Sequence, residues 1–146
     1  MPFSIIEAKG LTAVADEVCV RIQSDSDIVL ARQQARNLAK ELGFSASDLV
    51  VIATALSELA RNIVQYARCG EIILSRVEHG SRRGFVIIAR DQGPGIADIE
   101  QAMQDGYSTG GGLGLGLPGT RRLMDEFEIT SSVGQGTTVR TTKWVR

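Results

Sequence analysis

The sequence predicts an α/β domain, a two-layer sandwich in which helices cover one face of a mainly antiparallel mixed sheet. Three observations carry this. Between Asp27 and Ile63, two segments repeat apolar residues at spacings of three and four, the period of a helix buried along one side. Around them lie runs of β-branched and apolar residues of strand length, separated by turn-forming clusters. A chain of 146 residues fits one compact domain, residues 1–146, with a core that needs no disulfide or metal staple.

Taken in order, Val18-Cys-Val-Arg-Ile22 reads as a strand, and Ser24-Asp-Ser-Asp27 supplies N-cap candidates for a helix over Asp27 to Leu42. Ile28, Ala31, Ala35, Leu38 and Leu42 form its apolar stripe, and Gly43 is placed to end it in a left-handed turn. Ser45-Ala-Ser-Asp48 resembles a capping box that opens a second helix, with Leu49, Ile52, Leu56, Leu59 and Ile63 on one side. Glu71 to Val77 and Gly84 to Ala89 suggest a hairpin connected by Glu78 to Arg83. A short helix near Asp98 to Gln104, another over Leu117 to Glu126, and strands near Phe127 to Ser131 and Thr137 to Val145 complete the domain.

Composition narrows the function. Sixteen basic and 17 acidic residues give a net charge of -1, which lacks the basic footprint of a nucleic-acid binder. Cys19 and Cys69 lie far apart without CxxC or His-rich context, so neither a zinc site nor a disulfide framework is expected. His79, in the hairpin connection, reads as a solvent-exposed residue. The first residues have no leader pattern, and the longest apolar run, around Leu49 to Leu56, is too short to span a bilayer. No membrane partner is expected, and the default location is cytoplasmic.

Several short motifs carry chemistry. Glu58 and Asn62 are four residues apart on the second helix and therefore project from the same side. Magnesium takes oxygen ligands and keeps waters and phosphates around it, so an Asn62 carbonyl is a sufficient protein ligand. Glu58 then remains free to orient or deprotonate an attacking hydroxyl. Taken alone, the pair also reads as a helix-surface carboxylate and a backbone-bonded amide. Asp91, at a strand end, can accept the exocyclic amine of adenine and would repel the keto oxygen of guanine. Gly93 and Gly95 leave room for a base near the backbone and Pro94 stiffens the bend, with Ile96 following, although Asp91-Gln-Gly-Pro-Gly95 is also ordinary turn chemistry.

Gly110-Gly111-Gly112-Leu113-Gly114-Leu115-Gly116 is costly to order, and its amides lead towards a helix start near Leu117, as in a phosphate cradle with a closing lid. The embedded GxGxxG spacing has no strand directly before it, which argues against a dinucleotide fold. A Walker A loop is excluded because Lys9, Lys40 and Lys143 each follow a residue other than glycine. Thr137, after Gly134-Gln-Gly136, could place a hydroxyl near the adenine, or simply follow a β-turn.

Together, Glu58-Leu-Ala-Arg-Asn62, Asp91-Gln-Gly-Pro-Gly95, the glycine run to Gly116 and Gly134-Gln-Gly-Thr137 resemble the N, G1, G2 and G3 boxes of the GHKL ATPase superfamily, which includes gyrase, histidine kinases and MutL. Within it, Asp27-Ile-Val-Leu-Ala-Arg32, Gly106-Tyr-Ser-Thr109, Arg122-Leu-Met-Asp-Glu-Phe127 and Lys143-Trp-Val-Arg146 resemble the RsbT-type family of stressosome switch kinases, related to anti-sigma factor kinases. The resemblance implies a Bergerat ATPase fold and a serine/threonine protein kinase that uses ATP and Mg2+. It implies a STAS-domain antagonist and a STAS-domain stressosome scaffold as substrates, and a PP2C-type phosphatase that the released kinase activates. It also implies Glu58 as general base, Asn62 as magnesium ligand, Asp91 as adenine contact, and a nucleotide lined by Gly93, Gly95 and the glycine loop.

Those relatives often carry an arginine just before the lid glycines, where this chain has Ser108-Thr-Gly110, which leaves Arg61 and Arg121 as candidates for the γ-phosphate. Two other functions compete with the kinase. One is an ATP-gated binding switch of the anti-sigma type, in which nucleotide shapes a docking surface with little or no catalysis. The other is the catalytic domain of a histidine kinase, disfavoured because no dimerisation helices or phosphoacceptor histidine precede the domain.

Overall fold

The computed structural model describes residues 12–104 and 116–146. Strand β1 (Thr12–Ile22) leads into helices α1 (Asp25–Leu42) and α2 (Ala46–Asn62), and α2 continues directly into a π turn over Ile63–Ala67. Then follow β2 (Gly70–His79), β3 (Arg82–Asp91), the one-turn helix α3 (Ile99–Ala102), α4 (Gly116–Leu123), β4 (Glu126–Ser132) and β5 (Gly136–Trp144). The five strands form one sheet in the order β1-β2-β3-β5-β4, and every ladder in it is antiparallel.

Alternation along the strands separates two apolar layers. Val20, Ile22, Ile72, Leu74, Phe85 and Ile87 face the helices and merge with Ile28, Ala31, Ala35, Ile52, Leu56 and Leu59 in the main core. The intervening residues Ile73, Val77, Val86 and Ile88 join Trp144 in a smaller cluster on the opposite face. Ala31, Ala35 and Ala39 are all fully buried along α1, a row of small residues four apart that suits close packing of helix on helix.

Both long helices start where the sequence signals them. Ser45 accepts a hydrogen bond from Asp48 N at 3.1 Å, the N-cap bond expected of it. Ser24 makes no such side-chain bond; instead Asp27 reaches back to Gln23 N at 2.8 Å, which secures the same end from the other side. Gly43 ends α1 at φ 93°, and its N–H reaches Lys40 O.

Three elements differ from expectation in extent. Strand β1 begins at Thr12 and carries a register shift between Val14 and Val18, so it runs well before Val18. The hairpin connection shrinks from Glu78–Arg83 to Gly80-Ser81, because Glu78 and His79 pair with Arg83 and Arg82 at the solvated end of the ladder. A positive φ at Gly80 and not at Ser81 matches a II′ turn. Helix α4 stops at Leu123, where Asp125 N already bonds to Thr142 O of β5.

Candidate functional site

The end of α2, the π turn, the end of β3, the loop after it and the starts of α4 and β5 enclose a cavity of about 560 Å³. That volume is in the range of small-molecule sites. Glu58, Asn62, Asp91, Gly95, Ile96, Gly116 and Thr137 all line it, although they come from four separate stretches of sequence. Gly110, Gly111, Gly112, Leu113, Gly114 and Leu115 lie outside the described residues.

Asp91 occupies the last position of β3, paired with Gly70 on one side and Thr137 on the other. Its Oδ1 accepts hydrogen bonds from Gly93 N at 2.9 Å and Thr137 N at 3.3 Å. These bonds fix the carboxylate while leaving Oδ2 as an acceptor in the cavity wall, the geometry that a ligand amine requires. Thr137 sits opposite Asp91, but its hydroxyl is shared with Ser131 Oγ at 2.8 Å. Ser131 in turn accepts from Ile96 N at 2.7 Å and reaches Gly136 O at 3.1 Å, so one hydroxyl ties the β4–β5 hairpin to the loop that carries Gly95 and Ile96. Ser131 is a site-building residue that the motifs do not reveal. Only its register opposite Thr137 in the last hairpin points to it.

The two loop glycines have a different reason from the one expected. Gly93 does not line the cavity, and a Cβ there would stand 2.6 Å from Ala67 Cβ of the π turn. At Gly95, which has φ 77°, a Cβ would stand 2.1 Å from Ser132 O. The direction in which a side chain would point is therefore filled by the protein itself at both positions, while Gly95 still borders the cavity. Their absent side chains let the loop seat between the π turn and the last hairpin, which sets where Asp91 and Ile96 stand.

Glu58 and Asn62 occupy the final turns of α2 on the side that faces the cavity. Glu58 is only 7% exposed, unusual for a carboxylate, and its Oε1 pairs with Arg61 Nη1 at 3.2 Å. Asn62 is half-buried at the junction with the π turn. Insertions of this kind recur at functional sites, and here the turn carries Ile63, Gln65, Tyr66 and Ala67 into the cavity wall. Nothing in local propensity announces it.

The residues present suit an adenine nucleotide with magnesium. A fixed carboxylate with a remaining acceptor lies at one end of the cavity, and an amide beside a buried carboxylate lies on α2. Among the described residues no group of three or more His, Cys, Asp or Glu side chains could hold a metal alone. An ion at Asn62 would thus complete its shell from phosphate oxygens and water.

Comparison with known proteins identifies the domain. Residues 23–143 match the model of the histidine kinase-like ATPase domain. The chain is 56% identical over 131 residues to the serine/threonine-protein kinase RsbT of Bacillus subtilis (strain 168), covering 90% of this chain and 98% of that one. It is 32% identical over 121 residues to an anti-sigma F factor of Thermoanaerobacter sp. (strain X514), covering 79% and 83% of the two chains. A crystal structure of the RsbU and RsbW domains of a Mycobacterium tuberculosis protein superposes with a TM-score of 0.57 at 20% identity, over 88% of this chain and 32% of that one. That likeness is one of fold.

Proposed function

The chain belongs to the histidine kinase-like ATPase family and is a serine/threonine protein kinase, and from that premise we propose that it uses Mg-ATP to phosphorylate STAS-domain proteins of a partner-switching module. One substrate is an antagonist and the other a stressosome scaffold; on release from them the kinase activates a PP2C-type phosphatase. Residues 1–146 act as one kinase domain, in the cytoplasm. Among the described residues no helix is long and apolar enough to cross a membrane. The observation that carries the reading is the convergence of Glu58, Asn62 and Asp91 on one cavity, in a chain 56% identical to a serine/threonine kinase.

Each residue has a task suited to its surroundings. Asp91 Oδ2 takes the adenine amine while Oδ1 stays bonded to the loop, and Thr137 supports that carboxylate through its N–H. Asn62 offers its amide oxygen to magnesium. Glu58, largely shielded from water, accepts the proton of the partner's hydroxyl and holds it in line for transfer. Bound Mg-ATP supplies the phosphoryl group and the counter-charge for it. The glycine run, with Gly116 at the start of α4, cradles the phosphates and excludes water.

Transfer of labelled phosphate from Mg-ATP to a STAS-domain antagonist tests the reading. We expect Glu58→Ala to slow transfer by about 10²–10⁴-fold with nucleotide binding retained, and Asp91→Asn to weaken ATP binding itself. Wild-type transfer by the Glu58→Ala protein would remove the assigned base. The relation to anti-sigma F factors, at 32% identity, favours a second reading in which ATP gates partner binding and catalysis is minor. ATP-dependent capture of a partner with no labelling of it would favour that switch.

A further inference from the structure

Glu58, the group assigned to the partner's proton, is tied to Arg61 at 3.2 Å, and both side chains line the cavity beside Asn62. Their environments differ sharply. Glu58 is 9% exposed in its side chain and Arg61 49%, so a half-exposed arginine side chain holds the buried carboxylate. Among the described residues lining the cavity, Arg61 is the sole cation, against Glu58, Asp91 and Asp98 as carboxylates. The phosphate-clamping lysine of a Walker loop is absent from the sequence.

A nucleoside triphosphate placed with its metal at Asn62 brings its terminal phosphate towards Glu58, because both act on the same partner hydroxyl. Two anions so close repel each other unless a cation stands between them. Arg61 is one residue from Asn62 and three from Glu58 on the same helix, and its planar guanidinium carries five donors, more than the Nη1 contact to Glu58 requires. The geometry points to Arg61 as the catalytic residue that recognises the terminal phosphate of the nucleotide, held in readiness, and partly masked, by its ion pair with Glu58. Phosphate arrival draws the guanidinium outward from the carboxylate that orients the partner hydroxyl. No bond is made or broken in this exchange; one charge-assisted contact replaces another. The inference rests on the Mg-ATP kinase reading above.

Calorimetric binding of Mg-ATP and Mg-ADP to the full chain tests it without any protein substrate. In Arg61→Ala, ATP binding should weaken by about 10–100-fold while ADP binding changes by less than about threefold, the loss expected for one charged hydrogen-bonding contact. In Glu58→Gln, ATP binding should tighten by about 3–10-fold through release of the arginine and removal of a like charge. The double variant should bind ATP more tightly than Arg61→Ala and less tightly than Glu58→Gln, because the like charge and the arginine are both gone. Arg61→Lys, which keeps the charge and loses the fork, should fall between. An unchanged ATP-to-ADP ratio in Arg61→Ala, with wild-type binding intact, overturns the assignment and leaves the kinase reading standing. Wild-type protein that binds neither nucleotide overturns both.

Discussion

Helix α1 ends at Gly43, whose φ of 93° suits a residue without a Cβ, whereas the chain leaving α2 passes through a π turn and stops at Arg68, a non-glycine residue at φ 71° and ψ −44°. The first ending follows ordinary capping rules and borders nothing chemical. The second lies near the rare, strained geometry of a classic γ-turn. It also feeds Ile63, Gln65, Tyr66 and Ala67 into the cavity that holds Glu58 and Asn62. Strain of this kind persists where the surrounding structure over-determines it. Here the packing of Ala67 against Gly93 does so, and the contrast teaches that the site is shaped by how α2 ends more than by how it begins.

Gly93 and Gly43 provide the strongest way to break that contrast, since they are glycines for different reasons. A Cβ at Gly93 would meet Ala67 Cβ at 2.6 Å and Ala67 Cα at 2.9 Å, so Gly93→Ala must push the π turn away. It should cost about 1–3 kcal/mol by overpacking and weaken nucleotide binding at the same time. At Gly43 the nearest atom to a new Cβ is Arg83 Nη2, at 3.7 Å, so the space is open and only the positive φ resists. Gly43→Ala should cost about 1–2 kcal/mol, read as a fall in thermal midpoint, with nucleotide binding unchanged. Adding Ala67→Gly should recover binding in Gly93→Ala. Recovery of neither binding nor stability would separate the π turn from the site.

The sequence makes one of these endings legible and hides the other. Gly43, Ser45 and the three-and-four spacing report local backbone needs, which a short stretch of sequence contains in full. Ala67 of the π turn lies against Gly93 of the loop after β3, so the surroundings of the turn include residues far away in the sequence and no local stretch contains them all. Glu58, Asn62 and Asp91 are readable for the opposite reason: they are chemical groups at helical spacing and at a strand end, independent of exact packing. The purpose of Gly93 and Gly95 is not, because a missing side chain looks the same whether a ligand or Ser132 fills the space. Ser131 stays hidden because a hydroxyl acquires its role only from the register opposite Thr137.

Arg68 allows the comparison to be reversed in sign. Arg68→Gly removes the Cβ that makes φ 71° unfavourable, a relief of about 1–2 kcal/mol, offset by about 0.5–1 kcal/mol of extra backbone entropy in the unfolded chain. A net gain of up to about 1.5 kcal/mol is expected, opposite to Gly43→Ala, and denaturant midpoints would measure it. A loss of stability instead would mean that the Arg68 side chain, not the backbone, holds the turn.

The smallest effect belongs to the sheet face away from both helices. There Cys19 Sγ donates to Glu71 Oε2 at 3.0 Å, and Arg90 binds the other carboxylate oxygen through Nε at 2.8 Å and through Nη2. Partial burial, followed by the bond to Glu71, pushes the Cys19 thiol up from its ordinary 9.0 to about 11. The same thiol, followed by Arg90, holds the Glu71 carboxyl below its ordinary 4.5. The two linkages have opposite signs. Stability tied to the protonated thiol is present below pH 9 and fades as pH climbs towards about 11. Stability tied to the Glu71 carboxylate is present above pH 4.5 and fades as pH falls through its depressed value. Both groups are largely solvent-screened, so thiol chemistry is a better reporter than unfolding. In a Cys69→Ser background at pH 8, Glu71→Gln should raise the rate of Cys19 alkylation several-fold, because reactivity follows the thiolate fraction. An unchanged rate would mean that burial alone sets the thiol and that the Glu71 carboxylate rests on Arg90.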